Sequence, residues 1–117
     1  MARHPHLLAW QQARLLVRSV TTATSAATPT GDLISQLRRA AISVAANIAE
    51  GASRGSDRDF LRFLHIADGS NAEVQALTAI AEDAGMFSPE AAQAIITQAA
   101  LVGRLLGGFI RRLSGSG

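Results

Sequence analysis

Ser43, His65 and Asp68 are the residue types of a hydrolytic triad, and Glu50, Asp68 and Glu73 are those of a carboxylate-bridged metal pair. A triad needs its serine within hydrogen-bond reach of the histidine, and the strand-to-helix version sets it on a strained turn. Ser43 lies inside a helical pattern with no such turn around it. A di-metal bundle needs Glu-x-x-His on facing helices, and that spacing is missing. His4 and His6 are two ligands near the start of the chain, fewer than a closed site requires. Cysteine is absent, which removes disulfides, thiol catalysis and thiolate ligands together. The expectation is of no catalytic residue, no metal and no cofactor.

What remains is charge and hydrogen bonding. The 11 basic residues are all arginine, which suits bidentate contact with phosphate. Arg14 and Arg18 stand four apart, Arg38 follows, and Arg54 leads to Arg58, Arg62 and His65 at i, i+4 and i+7. Arg14, Arg18, Arg38, Arg54, Arg58 and Arg62 are the candidate contacts to a nucleic-acid backbone. The competing reading is a solvated face with intrahelical pairs such as Asp59 with Arg62. A net charge of +2 is low for a dedicated nucleic-acid binder, although the isoelectric point is near 11.0. Repetition of one patch around an oligomer would raise the local field.

A second set, Arg39, Ser43, Asn47 and Glu50, forms a narrow polar stripe with Gln36. It runs beside an apolar face of Leu33, Leu37, Ala40, Val44 and Ile48. A ladder of hydrogen-bonding groups next to a small-residue face reads as a structural polar network at a helix or subunit contact. The turn from Gly51 to Ser56, with Arg54 and Arg58, could hold phosphate at the following helix N-terminus. Its spacing is not that of a P-loop, and Asp57 and Asp59 already offset the helix dipole. A capped interhelical turn is the better reading.

These residues must be positioned by helices. The 117 residues are 48% hydrophobic but only 4% aromatic, so the core is built from Ala, Leu, Ile and Val, and alanine favours helix. Apolar spacing predicts helices over about 7–25, 31–52, 57–84 and 89–113. Pro29 and Gly31 break the first link; Ser56 caps the third helix, Ser88 the fourth, and Gly85 ends the third. Gly69-Ser70 reads as a close helix crossing, and Gly103 and Gly107 as points of close backbone approach. No strand signal intervenes, so the fold class is all-α, an antiparallel up-and-down four-helix bundle. One domain, 1–117, is expected, with flexible ends at 1–6 and 114–117. Charged residues are only 17%, so a domain this small is expected to hide surface in a homo-oligomer. The lack of cysteine, and residues 1–20 with Arg3, Trp10, Arg14 and Arg18 and no apolar run of signal-peptide type, lead to the expectation of a cytoplasmic location. No stretch is read as long enough to span a bilayer, and no membrane partner is expected.

The run from Gln36 to Val44, then Asn47-Ile48-Ala49-Glu50-Gly51, Arg54, Phe60, Arg62-Phe63-Leu64, Ile66-Ala67 and Gly69-Ser70 resembles the four-helix-bundle proteins encoded by intervening sequences of bacterial 23S ribosomal RNA genes. The likeness runs from about Leu8 to the end of the fourth helix. It departs in the first link, and in Gly-Ser-Asn-Ala-Glu-Val at 69–74 where Gly-Ser-Leu-x-Glu-Leu is usual. That family is similar in fold to the accessory protein of diversity-generating retroelements. The resemblance implies a homopentamer without enzymatic activity. RNA or DNA is one implied partner; a protein such as a reverse transcriptase is the alternative.

Overall fold

Each helix carries a core residue at alternating steps of three and four, and that spacing decides the architecture. Ala9, Ala13, Leu16 and Val20 are buried in the first helix, and Ile34, Leu37, Ala41, Val44 and Ile48 in the second. Leu64, Ala67, Val74 and Ala81 are buried in the third, and Ala92, Ile95, Ala99, Val102, Leu106 and Phe109 in the fourth. Such spacing places the residues on one seam of a helix, so four seams meet about a common axis. The computed structural model describes residues 5–26 and 31–115. It contains α1 (Pro5–Ala26), α2 (Gly31–Ala52), α3 (Asp57–Asp83) and α4 (Pro89–Gly115). The backbones pack as a square, α1 on α2 and α4, α3 on α2 and α4, in a rod of 45 × 20 × 19 Å. Among the described residues there is no strand, and the all-α four-helix bundle is the fold that the periodicity predicts.

The boundaries follow local chemistry. Ser56 is extended (φ −140°, ψ 153°), and its hydroxyl accepts from the Asp59 amide at the start of α3. Ser88 does the same for the Ala91 amide at 3.1 Å, ahead of Pro89. At the end of α3, Gly85 takes φ +78°. The Met86 amide then donates to the Ala81 carbonyl and the Gly85 amide to that of Glu82, both at 2.9 Å. This double closure satisfies carbonyls that the helix leaves open, and only glycine takes that φ without strain. Ser56→Ala removes one cap and should lower the unfolding free energy by about 1 kcal/mol, read as a shifted urea midpoint at unchanged slope.

Several expectations shift. Pro5, His6, Ser114 and Gly115, expected in loose ends, are helical; Arg3, His4, Pro29 and Thr30 lie outside the described residues. The apolar arc of α1 runs through Leu8, Leu15, Leu16, Val20 and Ala23 with Ala9, Trp10, Ala13 and Val17 beside it. Of these Leu16 and Val20 are buried, Leu8 and Leu15 are exposed, and Ala9 and Ala13 face inward. The small pair lets α1 approach its neighbours closely. Gly69 has nothing near it that a side chain would meet; the crossing of α2 and α3 is held by Ser70, whose hydroxyl lies 2.8 Å from that of Ser43. A Cβ at Gly103 would lie 3.2 Å from Asn71 Nδ2, so the space there is used by a side chain and not by a backbone. The reading that no stretch is long enough to span a bilayer fails for α4, whose 27 residues reach a mean hydropathy of 1.3 over their most apolar stretch. The apolar seam of α4 is the one that faces α1 and α3 in the core.

Candidate functional site

An up-and-down bundle gathers the start of α1, the end of α2, the start of α3 and the end of α4 at one end of the rod. Arg54, Arg58, Arg62, Arg111 and Arg112 all fall there. The carboxylates Asp32, Glu82, Asp83 and Glu90 fall at the other end. The basic end has an aromatic floor. Phe60 and Phe109 meet edge to face at 5.0 Å, and the His6 ring packs on both, at 6.0 and 6.5 Å. Phe63 lies beside them on α3, and Gly51 makes room for it. A Cβ on Gly51 would come within 2.8 Å of both Phe60 Cδ1 and Phe63 Cβ. Gly51 therefore serves as a contact point between α2 and α3, and not as the helix stop that its position suggests.

The floor holds the arginines. The guanidinium carbons of Arg54 and Arg62 lie 4.8 and 4.5 Å from the centroid of Phe63, and that of Arg112 lies 5.6 Å from Phe109. Each such contact is worth about 0.5–1 kcal/mol at an exposed site. Their larger effect is on order, because a free arginine gives up about 2 kcal/mol of rotamer entropy when a ligand fixes it. Carboxylates are present too. Glu50 accepts from Arg54 at 2.7 Å, and Asp57 and Asp59 occupy the first turn of α3, where the amide dipoles favour them. Among the described residues, Arg58, Arg62, Arg111 and Arg112 have no carboxylate at ion-pair distance. Arg58 and Arg62 line an open cleft with Asp57, Asp59, Leu61, Leu113 and Ser114, so the cations border a surface with apolar parts and share it with two carboxylates.

The six candidate arginines thus divide. Arg54, Arg58 and Arg62 share the basic end. Arg14, Arg18 and Arg38 lie along the α1/α2 flank, where Arg14 covers Trp10 at 4.8 Å and Arg38 Nε donates to Thr24 Oγ1 at 2.9 Å. Arg111, Arg112 and the aromatic floor were missing from the candidate set. They become legible once the topology is drawn and charge is counted end by end.

The polar stripe separates into three local arrangements. Asn47 Nδ2 donates to the Ser43 carbonyl at 2.9 Å and to its hydroxyl at 3.0 Å, and that hydroxyl pairs with Ser70. Arg39 instead donates to Ser35 at 2.7 Å, and Glu50 turns to Arg54. With Ser43 engaged by Ser70 and Asn47, its bonded partners include neither His65 nor Asp68. The deepest polar groups were not foreseen. Asn71 is buried in α3 and donates to the Ala99 carbonyl of α4 at 2.8 Å. Thr78, buried one heptad later, donates to Val74 at 2.7 Å. The seam spacing Leu64, Ala67, Asn71, Val74, Thr78, Ala81 was the signal for both. No group of three or more His, Cys, Asp and Glu that could hold a metal ion occurs among the described residues.

Residues 5–108 match the family model described as 23S rRNA-intervening sequence protein. A solved structure of a protein of unknown function from the S23 ribosomal protein family of Bacteroides thetaiotaomicron is similar, with a TM-score of 0.82 and 20% identity. The match covers 92% of this chain and 98% of that one, and at that identity it speaks for the fold alone. A search of curated protein sequences gives no match.

Proposed function

The chain belongs to the 23S rRNA-intervening sequence protein family, and from that premise and the clustered arginines we propose that it binds the phosphate backbone of nucleic acid through the basic end of the bundle. The observation that carries the reading is the set Arg54, Arg58, Arg62, Arg111 and Arg112 at one end, three of them held over aromatic rings. Ordered guanidinium groups lose little freedom on contact and present bidentate donors to phosphate. One end of one copy offers few contacts. We propose that several copies assemble side by side, five by the family resemblance, so that their basic ends act together and avidity multiplies a weak contact. Six large apolar side chains that are exposed, Leu7, Leu8, Leu15, Ile42, Ile66 and Ile80, support assembly. The reading assigns no catalytic step and puts the protein in the cytoplasm, where RNA and DNA are available.

The test is binding of a labelled RNA and of a duplex DNA across a range of salt. Affinity should fall linearly in log–log form with salt. Arg58→Ala, Arg62→Ala and Arg111→Ala should each make the slope shallower by about 1. Arg18→Ala, outside the basic end, should leave it unchanged. Absence of binding to either nucleic acid at low salt would reject the reading. A protein partner recovered equally after nuclease treatment would favour a scaffold in its place.

A further inference from the structure

We infer that the oligomer closes through two different faces, the α1/α2 groove of one copy receiving the outer stripe of α3 from the next. This rests on the oligomeric reading above. The groove is lined by Trp10, Arg14, Val17, Ile42, Ala45 and Ala46. It contains no carboxylate, and Ile42 in it is 55% exposed. Arg14 sits at its rim over Trp10, and Arg38 lies one turn before Ile42. The surface is therefore apolar and cationic.

The stripe on α3 has the opposite character. Ile66, Glu73 and Ile80 are spaced by seven, so they lie along one line of the helix. Glu73 borders the cleft with Gln36, Arg39, Ser43 and Ser70, which fixes that line on the α2 side. Ile66 and Ile80 are 43% and 51% exposed, and Glu73 has no ion-pair partner among the described residues. The stripe is apolar with an anionic centre. Ile66 to Glu73 matches Trp10 to Val17 in length, one heptad each, so one line can lie along the other. None of the large exposed apolar residues is on α4.

Charge selects the pairing. A groove facing a copy of itself sets Arg14 and Arg38 against their own kind, with no carboxylate in the groove to offset them, whereas the stripe carries both Glu73 and, across the cleft, Arg39. Groove on stripe gives the groove's cations a carboxylate in Glu73 and covers Ile42 and Ile66 together, with Ile80 continuing the contact along α1 beyond Val17. Nucleic acid is a poor occupant of the stripe, since isoleucine offers phosphate nothing and Glu73 repels it. A contact between unlike faces is heterologous and continues from copy to copy. The two faces are neighbouring sides of a square bundle, turned about 90° from each other, which closes a ring of about four or five copies.

Native mass spectrometry and sedimentation of the purified full chain test the pairing. Ile42→Glu should spoil the groove, and the double variant Ile66→Glu, Ile80→Glu should spoil the stripe. Each should run as a monomer with wild-type helicity, because all three positions are exposed. Mixing the two preparations should yield a one-to-one heterodimer and nothing larger, since only one intact groove meets one intact stripe. Glu73→Arg should weaken assembly, and adding Arg14→Glu with Arg38→Glu to the same chain should restore it. A wild type that assembles while both spoiled variants keep its mass would overturn the pairing and leave the oligomeric reading standing. A monomeric wild type at micromolar concentration would overturn both.

Discussion

Gly51→Ala should lower the unfolding free energy by roughly 1–3 kcal/mol, the reverse of what alanine does in an open helix. The added Cβ would lie 2.8 Å from Phe60 Cδ1 and 2.8 Å from Phe63 Cβ. The ring atom can swing aside, but Phe63 Cβ is fixed to the α3 backbone, so α2 and α3 must part. The helix propensity gained, about 1 kcal/mol, does not offset a lost helix contact in the core. Gly69→Ala supplies the control. Gly69 is helical and exposed, with nothing for a side chain to meet, so alanine there should stabilise by roughly 0.5–1 kcal/mol. Urea unfolding of the two variants should therefore move in opposite directions. A neutral Gly51→Ala would mean that Phe63 does not fix the spacing of the helices. The change also reaches function, because Phe63 is the ring under Arg54 and Arg62. Folded Gly51→Ala should bind nucleic acid more weakly than the wild type at the same salt.

Asn71→Asp should cost roughly 3–5 kcal/mol at neutral pH, and the cost should fade in acid. Asn71 is 1% exposed. Its Nδ2 donates to the Ala99 carbonyl, while its Oδ1 is buried without a hydrogen-bond partner among the described residues. An ionised carboxylate at that place would face the Ala99 carbonyl, with no donor beside it among the described residues. Protonated, it could still donate one O–H to Ala99. Burial raises the carboxyl pKa in the folded chain above its unfolded value of about 3.9. The unfolded state then releases its proton first, so stability of the variant is highest below about pH 3.9 and falls as the pH rises from there, until the folded carboxyl also ionises. Measured against wild type at each pH, the difference should widen from acid to neutral. A constant difference would show that the side chain reaches solvent. Asn71→Leu should be close to neutral, since it removes the orphan oxygen together with the bond.

Much of the fold was legible because helix boundaries depend on local chemistry. Ser56, Gly85 and Ser88 act within three residues of themselves, and each does what its type and position predict. The inner faces of α2 and α4 were legible for the same reason, Leu37, Val44 and Ile48 on one and Ile95, Val102 and Leu106 on the other. α1 was legible only in part, because its apolar arc is too wide to show which edge turns inward: Leu16 and Val20 are buried with Ala9 and Ala13, while Leu8 and Leu15 are exposed. Packing decided the edge. Asn71 was passed over because a buried amide depends on what faces it, here a carbonyl 28 residues away, and that is tertiary information. The polar stripe illustrates the same limit. Its residues do share a flank, but Arg39 and Glu50 each find a partner one turn away on α2 or just past its end, Asn47 bonds back to Ser43, and Ser43 reaches α3 at Ser70. The basic end was half visible, through Arg54, Arg58 and Arg62. Its other half comes from α4, and only the antiparallel return of the chain brings it near.

The division of charge along the 45 Å rod changes what the net value of +2 means. Electrostatic screening in physiological salt acts over about 8 Å, a small fraction of that length. An ion arriving at Arg58 and Arg111 is therefore blind to Asp32, Glu82, Asp83 and Glu90, and feels only its own end, where five arginines stand against Glu50, Asp57 and Asp59. The molecule has a leading end and a trailing end, and a polyanion meeting it tip-first encounters a cation while one meeting it tail-first is turned away.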